Sequence, residues 1–340
     1  MSLETSARLL AAVATPLGYA ILLRAAYQFF RFVQFNLRRS SLRKYGTSHR
    51  LYSIGSDQKS RPYALITGAS DGLGLVFVEQ LAAKGFNLII HGRNQAKLNG
   101  IKANTETKHN ITVRTLVIDA EKHPTAFSSQ SYNDFEQTIL ATISDVPLTV
   151  LVNNIGILGP NLSLDTRPPS SIDDFININL RFLTHLTRVC LPILKRKKPA
   201  LILNITSAAE TAPLPLSAPY TAAKAYGSAL HRSLRHELNL TGFPDIEVLS
   251  LRYGILCTPS AGRTDADAKW DIPTCARAVK DGLRCVGCGE STVVPYVGHQ
   301  LQEWLVGWLP DNVKESFFAK FWLENLRTVQ GFEGLAGQKK

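Results

Sequence analysis

The sequence predicts an α/β fold with a parallel sheet, and three observations support this prediction. Apolar runs of strand length recur along the chain, at residues 63–67, 86–91, 112–118, 148–152 and 201–207. Stretches with helical periodicity lie between them, as at residues 75–85 and 127–143. A glycine-rich turn joins the first run to the first helical stretch. This alternation is typical of parallel sheets, because parallel strands need helix-length crossovers.

The composition indicates a globular chain with a large core, since 45% of the 340 residues are hydrophobic and 19% are charged. The formal net charge of +11 is concentrated in residues 1–62, where ten Lys and Arg face only two acidic residues. Leu, Phe, Tyr and Val are interleaved with these cations. We therefore expect no nucleic-acid partner, although a basic segment of this kind is open to that interpretation.

The five cysteines are odd in number and unevenly spaced, which predicts free thiols in a reducing compartment. Cys285 and Cys288 have the spacing of a zinc or redox pair. No second Cys/His pair follows at ligand spacing, so we expect no metal site.

The N-terminus carries a 15-residue uncharged stretch at residues 9–23, and its apolar character resumes after Arg24. A bilayer span needs about 20 apolar residues, so a signal peptide, an interfacial helix and a span with a snorkelling Arg24 all stay open. We favour an uncleaved membrane-spanning anchor. Basic residues on its C-terminal flank, including Arg38 and Arg39, then place the following domain in the cytosol.

The glycine-rich turn predicts a dinucleotide site. It lies between a predicted strand and a predicted helix, where glycines let the backbone approach a pyrophosphate held by the helix N-terminus. An ordinary strand-to-helix loop is the alternative. The candidate cofactor-binding residues of the turn are Gly68, Ser70, Asp71, Gly72, Leu73 and Gly74.

The second apolar run ends at Gly92 and Arg93, with no acidic residue in that stretch. An acid at this place would bind the ribose 2′-hydroxyl of NAD, whereas a cation favours the 2′-phosphate of NADP. NADP(H) is therefore the predicted cofactor, unless Arg93 is only a solvated surface residue. Asp119 and Asn153 close two further strands, and both strand ends are expected to face the cofactor.

Ser207, Tyr220 and Lys224 form the predicted catalytic group. Tyr220 and Lys224 are four residues apart, so they share one face of a predicted helix. A cation beside a phenol favours the phenolate, and a phenol tuned in this way can protonate a carbonyl oxygen as hydride reaches the carbon. Ser207 can hydrogen-bond the same oxygen. A surface Tyr-Lys pair is the alternative.

In this order, the motifs resemble those of the short-chain dehydrogenase/reductase family: the glycine turn, Asn153-Asn154-x-Gly156, Ser207, and Tyr220-x3-Lys224. The resemblance implies a Rossmann-type, doubly wound parallel sheet with helices on both faces. It also implies that Asn179, rather than Asn177, holds a water against the lysine. Leu256 and Thr258 match positions that face the nicotinamide.

More narrowly, the chain resembles the membrane-bound very-long-chain 3-oxoacyl-CoA reductases and the related 17-beta-hydroxysteroid dehydrogenases. The likeness extends from the apolar, Arg-bearing N-terminus to Gly298-His299. It implies reduction of a lipid ketone at the endoplasmic reticulum membrane, with the catalytic domain facing the cytosol, and a possible homodimer. We expect an anchor and basic linker at 1–60, an NADP-binding domain at 61–300, and an amphipathic extension at 301–340.

The C-terminal extension carries apolar and aromatic side chains at mostly helical spacing, from Leu301 to Leu326. They can pack over the sheet, contact a bilayer or wall a lipid pocket. The polar segment 258–272 suits either a substrate lid or a surface loop.

Three functions therefore stay open. The first is a membrane-associated reductase of a 3-oxoacyl-CoA or steroid-like ketone, and the second is a ketoreductase that tailors a specialised, polyketide-like metabolite. The third is a non-catalytic, membrane-tethered nucleotide-binding protein. The complete Ser207, Tyr220 and Lys224 set favours an enzyme.

Overall fold

A computed structural model describes residues 3–47, 61–124 and 129–330. The chain divides into two compact units between Ser40 and Ser41. The first unit contains helix α1 (Leu3–Leu37), which is 35 residues long. Of the predicted anchor and basic linker at 1–60, residues 48–60 lie outside the described residues.

Across the described stretches, no helix combines the length and the apolar character needed to cross a membrane. This corrects the expectation of a membrane-spanning anchor that begins in the stretch 9–23. Arg24 and Gln28 follow that stretch within α1 and dilute its apolar character. The side chains of residues 9–11 lie outside those that the structure describes.

The second unit contains the predicted parallel sheet, with seven strands in the order β3-β2-β1-β4-β5-β6-β7. Every neighbouring pair of strands is parallel. The strands are β1 (Tyr63–Ile66), β2 (Asn87–Gly92), β3 (Val113–Val117), β4 (Leu148–Asn153), β5 (Ala200–Ser207), β6 (Ile246–Tyr253) and β7 (Thr292–Val293).

The helices of this unit follow the predicted alternation with the strands. They are α2 (Lys44–Thr47), α3 (Gly72–Ala82), α4 (Gln95–His109), α5 (Ser129–Ile143), α6 (Pro169–Ile176), α7 (Leu183–Arg196), α8 (Ala218–Leu240), α9 (Cys275–Arg284), α10 (Val297–Val306) and α11 (Asp311–Gln330). A π-helix, Asn177–Phe182, joins α6 to α7.

Helices pack around both faces of the sheet. Every residue of β1, β2 and β4 is buried, which is why these strands are continuous apolar runs. Tyr63 and Leu65 of β1 belong to a core that also contains side chains of α5, α7 and α8. The alternate residues Ala64 and Ile66 point to the other face, where α3 contacts β1 and β2 and packs against α4 and α9.

The strand order reverses at β1, which pairs with β2 on one side and with β4 on the other. In a parallel sheet, ligands bind beyond the carboxyl ends of the strands at such a reversal. The fold therefore places a crevice where β1 and β4 end.

Candidate active site

A cavity of about 440 Å³ lies beyond the carboxyl ends of β1, β4, β5 and β6. Its wall combines the predicted dinucleotide turn with the predicted catalytic group. The predicted site residues that line it are Gly68, Asp71, Gly72, Leu73, Ser207, Tyr220, Lys224, Leu256 and Thr258.

The glycine turn has the backbone geometry that a pyrophosphate requires. Gly68 and Gly72 have φ angles of +61° and +50°, in the left-handed region that favours glycine. Asp71 caps α3, where its carboxylate accepts a hydrogen bond of 2.8 Å from the N–H of Gly72. Gly74 is buried against the turn, and Ser70 belongs to the turn without lining the cavity. The first N–H groups of α3 thus lie beside the cavity, where an anion can accept from them.

His91, near the end of β2, is hydrogen-bonded to the backbone of this turn. The N–H of Gly68 donates to its Nδ1 at 3.4 Å, and its Nε2 lies 3.2 Å from the carbonyl oxygen of Ile118. Burial lowers the pKa of His91 to about 4, so the ring is neutral, with Nδ1 accepting and Nε2 donating. The sequence around His91 predicts only the end of an apolar run, and no local motif distinguishes this residue.

Ser207, Tyr220 and Lys224 come together from two elements. Ser207 ends β5, Tyr220 lies in the first turn of α8, and Lys224 follows one turn later. The ammonium of Lys224 lies 5.6 Å from the centre of the Tyr220 ring and donates to the carbonyl oxygen of Ile205 at 3.1 Å. Ser207 and Tyr220 both line the cavity.

Asn179 lies in the π-helix, next to Lys224. Its amide donates to the carbonyl oxygen of Phe175 and accepts from the N–H of Ile157, both at 3.1 Å. Asn179 and Lys224 line a separate cavity of about 20 Å³, which is the size of one water molecule. The alternative, Asn177, instead donates to the carbonyl oxygen of Glu121 at 2.8 Å.

Gly156 makes room for this arrangement. A β-carbon at Gly156 would lie 2.9 Å from Oδ1 of Asn179 and 3.5 Å from Nζ of Lys224. Any larger residue would therefore separate the loop after β4 from these two side chains.

Arg93 and Asp119 do not line the cavity. The guanidinium of Arg93 is 66% exposed and forms an ion pair of 2.5 Å with Glu121. Asp119 pairs with Lys122 at 3.5 Å. The structure thus brings an acidic side chain to Arg93 from the loop after β3, which the sequence around Arg93 did not indicate.

Asn153 is buried and also lies off the main cavity wall. Its amide donates to the hydroxyl of Thr187 at 3.0 Å. Its neighbour Asn154, which we had not selected, lines the cavity and donates to the carbonyl oxygen of Thr67 at 2.9 Å. Successive strand residues point to opposite sides, and only the register in the fold decides which of the two faces the cavity.

The C-terminal helix α11 forms the outer wall of the cavity through Phe318, Phe321, Trp322 and Asn325. The indole N–H of Trp322 donates to the carbonyl oxygen of Pro215 at 3.1 Å. Parts of the segment 258–272 complete this wall, and Arg263 of that segment donates to Asn325 at 2.8 Å. Three roles were open for the C-terminal extension: packing over the sheet, contact with a bilayer and forming a pocket wall. The structure supports the pocket wall.

Gly254, directly after the end of β6, makes a close contact with His299 of α10. Its N–H donates to Nδ1 of His299 at 3.0 Å, and the other ring nitrogen lies 3.1 Å from the carbonyl oxygen of Asp271. A β-carbon at Gly254 would lie 2.9 Å from the ring. His299 therefore ties the end of β6 to the end of the segment 258–272.

Comparison with known proteins agrees with this geometry. The very-long-chain 3-oxoacyl-CoA reductase of Podospora anserina is 31% identical over 300 residues, which covers 85% of this chain and 81% of the relative. The reductase of the same name from Mus musculus is 29% identical over 286 residues, covering 82% and 81%. A short-chain dehydrogenase from Sphingobium yanoikuyae, solved in complex with NADPH, superposes with a TM-score of 0.57 at 22% identity, covering 73% of this chain and 96% of its own.

The family model of short chain dehydrogenases matches residues 62–269, which include the glycine turn and the Ser207, Tyr220 and Lys224 set. The chain belongs to the short-chain dehydrogenase family of oxidoreductases.

Proposed function

We propose that this protein is an NADPH-dependent ketone reductase that acts on a lipid, either a 3-oxoacyl thioester or a steroid-like ketone. The observation that carries the proposal is that Ser207, Tyr220 and Lys224 line the same cavity as the glycine turn. A ketone and a nicotinamide in this cavity would therefore meet beside a proton donor.

The residues present fit a dinucleotide. The left-handed glycines and the N-terminus of α3 suit a pyrophosphate, which when bound would place a hydride donor in the cavity. The Tyr220 hydroxyl then gives its proton to the carbonyl oxygen, and the Ser207 hydroxyl donates a hydrogen bond to that oxygen as negative charge develops. Lys224 favours the phenolate that remains.

Asn179 and Lys224 suit a path that returns a proton to the Tyr220 hydroxyl after the reaction. The water-sized cavity between them is lined by polar residues as well as apolar ones, and its polar residues are Asn153, Asn179, Asn204, Thr206 and Lys224. We propose that a water there accepts from Lys224 and connects it to Asn179, so that Tyr220 regains its proton through the lysine.

NADPH is proposed over NADH because Arg93 follows β2 and offers a cation for the 2′-phosphate. Glu121 now holds this cation in an ion pair of 2.5 Å. Binding of the phosphate therefore requires Arg93 to share or exchange its partner.

A lipid substrate is proposed because three aromatic side chains, Phe318, Phe321 and Trp322, form the outer wall of the cavity. Apolar walls of this kind bury alkyl chains or sterol rings. The relatives named very-long-chain 3-oxoacyl-CoA reductase agree with this substrate class.

Membrane association through surface contact is proposed from the exposed side of the C-terminal helices. Phe321 lines the cavity and is also 42% exposed, and further exposed apolar residues lie on α10, on α11 and between them. Tryptophans are favoured at membrane interfaces, where their rings meet both lipid and water. The exposed apolar residues are Leu301, Trp304, Leu305, Trp308, Leu309, Val313, Phe317 and Phe321. We propose the cytosolic face of the endoplasmic reticulum as the location, in keeping with the five free cysteines.

Turnover assays with a ketone panel test the reaction. Purified protein should oxidise NADPH only when a lipid ketone is added, and Tyr220→Phe should reduce kcat by about 10²- to 10⁴-fold while NADPH still binds. Tyr226→Phe is the matched control, because Tyr226 lies on the same helix and its hydroxyl contacts Thr184 at 2.8 Å, outside the cavity. If none of the ketones on the panel supports NADPH oxidation by the wild type, the reductase proposal is wrong and the non-catalytic alternative is favoured.

Vesicle flotation tests the membrane proposal. The protein should float with phosphatidylcholine vesicles, and a Trp304→Ala/Trp308→Ala variant should float less. Leu240→Ala, which truncates a side chain that is 89% exposed at the end of α8, should float like the wild type. Equal flotation of all three proteins would show that α10 does not contact the membrane.

A further inference from the structure

A buried polar cluster lies directly behind Ser207 and has no part in the mechanism described so far. Its centre is Glu210, three residues after Ser207, with a side chain that is only 5% exposed. Arg252 of β6 lies beside it and is 21% exposed. Buried carboxylates are costly unless they are fully paired, so the partners of Glu210 identify what this side chain holds in place.

Glu210 uses both carboxylate oxygens. Oε2 accepts from the hydroxyl of Thr206 at 2.6 Å and from the hydroxyl of Ser228. Oε1 accepts from Nε of Arg252 at 2.7 Å and pairs with its Nη2 at 2.5 Å. These four contacts occupy about all of the acceptor sites that a carboxylate has.

Arg252 extends the cluster to the C-terminal helices. Its Nη1 donates to Glu303 of α10, at 3.2 Å to one oxygen and 3.4 Å to the other. Burial alone would lower the pKa of Arg252, but the carboxylates of Glu303 and Glu210 raise it. The guanidinium therefore stays charged between two acids: Glu210, three residues after Ser207, and Glu303 on α10.

The two hydroxyls bound to Glu210 belong to the two elements that carry the catalytic side chains. Thr206 immediately precedes Ser207 at the end of β5, and its hydroxyl lies 3.4 Å from the carbonyl oxygen of Lys224. Ser228 follows Lys224 by one turn of α8. Lys224 in turn donates to Ile205, the residue before Thr206.

We propose that Glu210 is a positioning residue that sets the distance between the end of β5 and the first turns of α8, and thereby the place of Lys224 beside Tyr220. Its carboxylate crosslinks these elements through Thr206 and Ser228, while Arg252 and Glu303 connect the crosslink to α10. The inference rests on the proposed reductase activity, since it assigns a role in that reaction.

Glu210→Gln tests the role, because the amide keeps the size of the side chain and loses the charge and one acceptor group. We expect kcat to fall roughly 10- to 100-fold, as is usual when catalytic groups shift by about 1 Å, while KM for NADPH changes less than about twofold. Glu303→Gln, which loosens only the outer contact, should have the same effects to a smaller extent.

Asp281→Asn is the matched control for burying an uncharged amide in place of a paired carboxylate. Asp281 has a 6% exposed side chain, pairs with Arg277 at 2.7 Å and lies on α9 away from the catalytic group. It should lower the melting temperature without lowering kcat. Should Glu210→Gln fail to fold, Glu210→Asp keeps the charge, shortens the reach and is expected to give the same kcat loss with KM for NADPH nearly unchanged.

The outcomes separate the two proposals. A wild type without ketone-dependent turnover overturns the proposed function. An active wild type whose Glu210 variants keep its kcat, or lose no more kcat than Asp281→Asn, overturns only the positioning role.

Discussion

Gly74 packs directly on the carbonyl oxygen of Gly68: a β-carbon at Gly74 would lie 2.0 Å from that oxygen. It would also lie 2.8 Å from the side-chain nitrogen of Asn154, which holds the loop after β4 against the turn. The backbone of β1, the first turn of α3 and the loop after β4 therefore meet at one point that has no room for a methyl group.

Gly74→Ala should accordingly displace α3 from the turn. We expect a loss of stability of about 1–3 kcal/mol, as for other overpacked sites, and an NADPH affinity at least tenfold lower. Thermal denaturation with and without NADPH measures both, since bound ligand raises the melting temperature. Gly100→Ala in α4 is the control: nothing lies within 4 Å of its β-carbon, so it should gain up to about 1 kcal/mol. An unchanged NADPH shift in Gly74→Ala would contradict the close contact.

The ion pair of Arg93 with Glu121 predicts opposite effects of two substitutions on cofactor choice. Arg93→Ala should raise KM for NADPH about tenfold, the value of one charge-assisted hydrogen bond, and leave KM for NADH nearly unchanged. Glu121→Gln should lower KM for NADPH, because it frees the guanidinium and removes a negative charge near the 2′-phosphate. The ratio of kcat/KM for the two cofactors is the measurement. If neither substitution moves this ratio, Arg93 is only a surface residue.

Two buried histidines predict how stability depends on pH. Burial lowers the pKa of His91 and of His231 to about 4. In the unfolded chain they titrate near 6.5, so between about pH 6.5 and 4 the unfolded state binds more protons. The contribution of these histidines to the free energy of unfolding should therefore be fully present above pH 6.5. It should fall as the pH drops, by up to about 1.4 kcal/mol per pH unit for each histidine.

Urea denaturation at pH 7.5, 6.5, 5.5 and 4.5 measures this slope. His231→Gln should make the slope shallower, because one of the histidines whose pKa is lowered by burial is then removed. His236→Gln, at an exposed position of the same helix, should leave the slope unchanged. Equal slopes in all three proteins would mean that the histidines are not the cause.

Phe318 of α11 should control the length of the substrate. Phe318→Ala removes an aromatic contact from the outer wall of the cavity, so kcat/KM for long-chain ketones should fall about tenfold while short-chain ketones change little. Phe317→Ala is the control, since Phe317 is adjacent, 49% exposed and not part of the wall. Assays over a series of acyl lengths decide the matter: a uniform loss at all lengths would show general damage to the fold.

The sequence alone identified the first five strands, the glycine turn and the group Ser207, Tyr220 and Lys224. These features depend on residues that are near one another in the chain. A strand buried on both faces must be a continuous apolar run, and a left-handed turn favours glycine. The spacing of Tyr220 and Lys224 follows from the helical repeat. The prediction of a membrane-spanning anchor at the N-terminus was not confirmed, because polar residues follow the apolar stretch within the same helix.

Only the tertiary structure decided which side chains meet across the chain. Asn154 rather than Asn153 faces the cavity, Glu121 pairs with Arg93, and α11 closes the outer wall. His91 and Glu210 had no local motif to identify them. Each of these contacts joins residues that are distant in sequence, so it depends on strand register and helix packing, which short-range patterns do not specify.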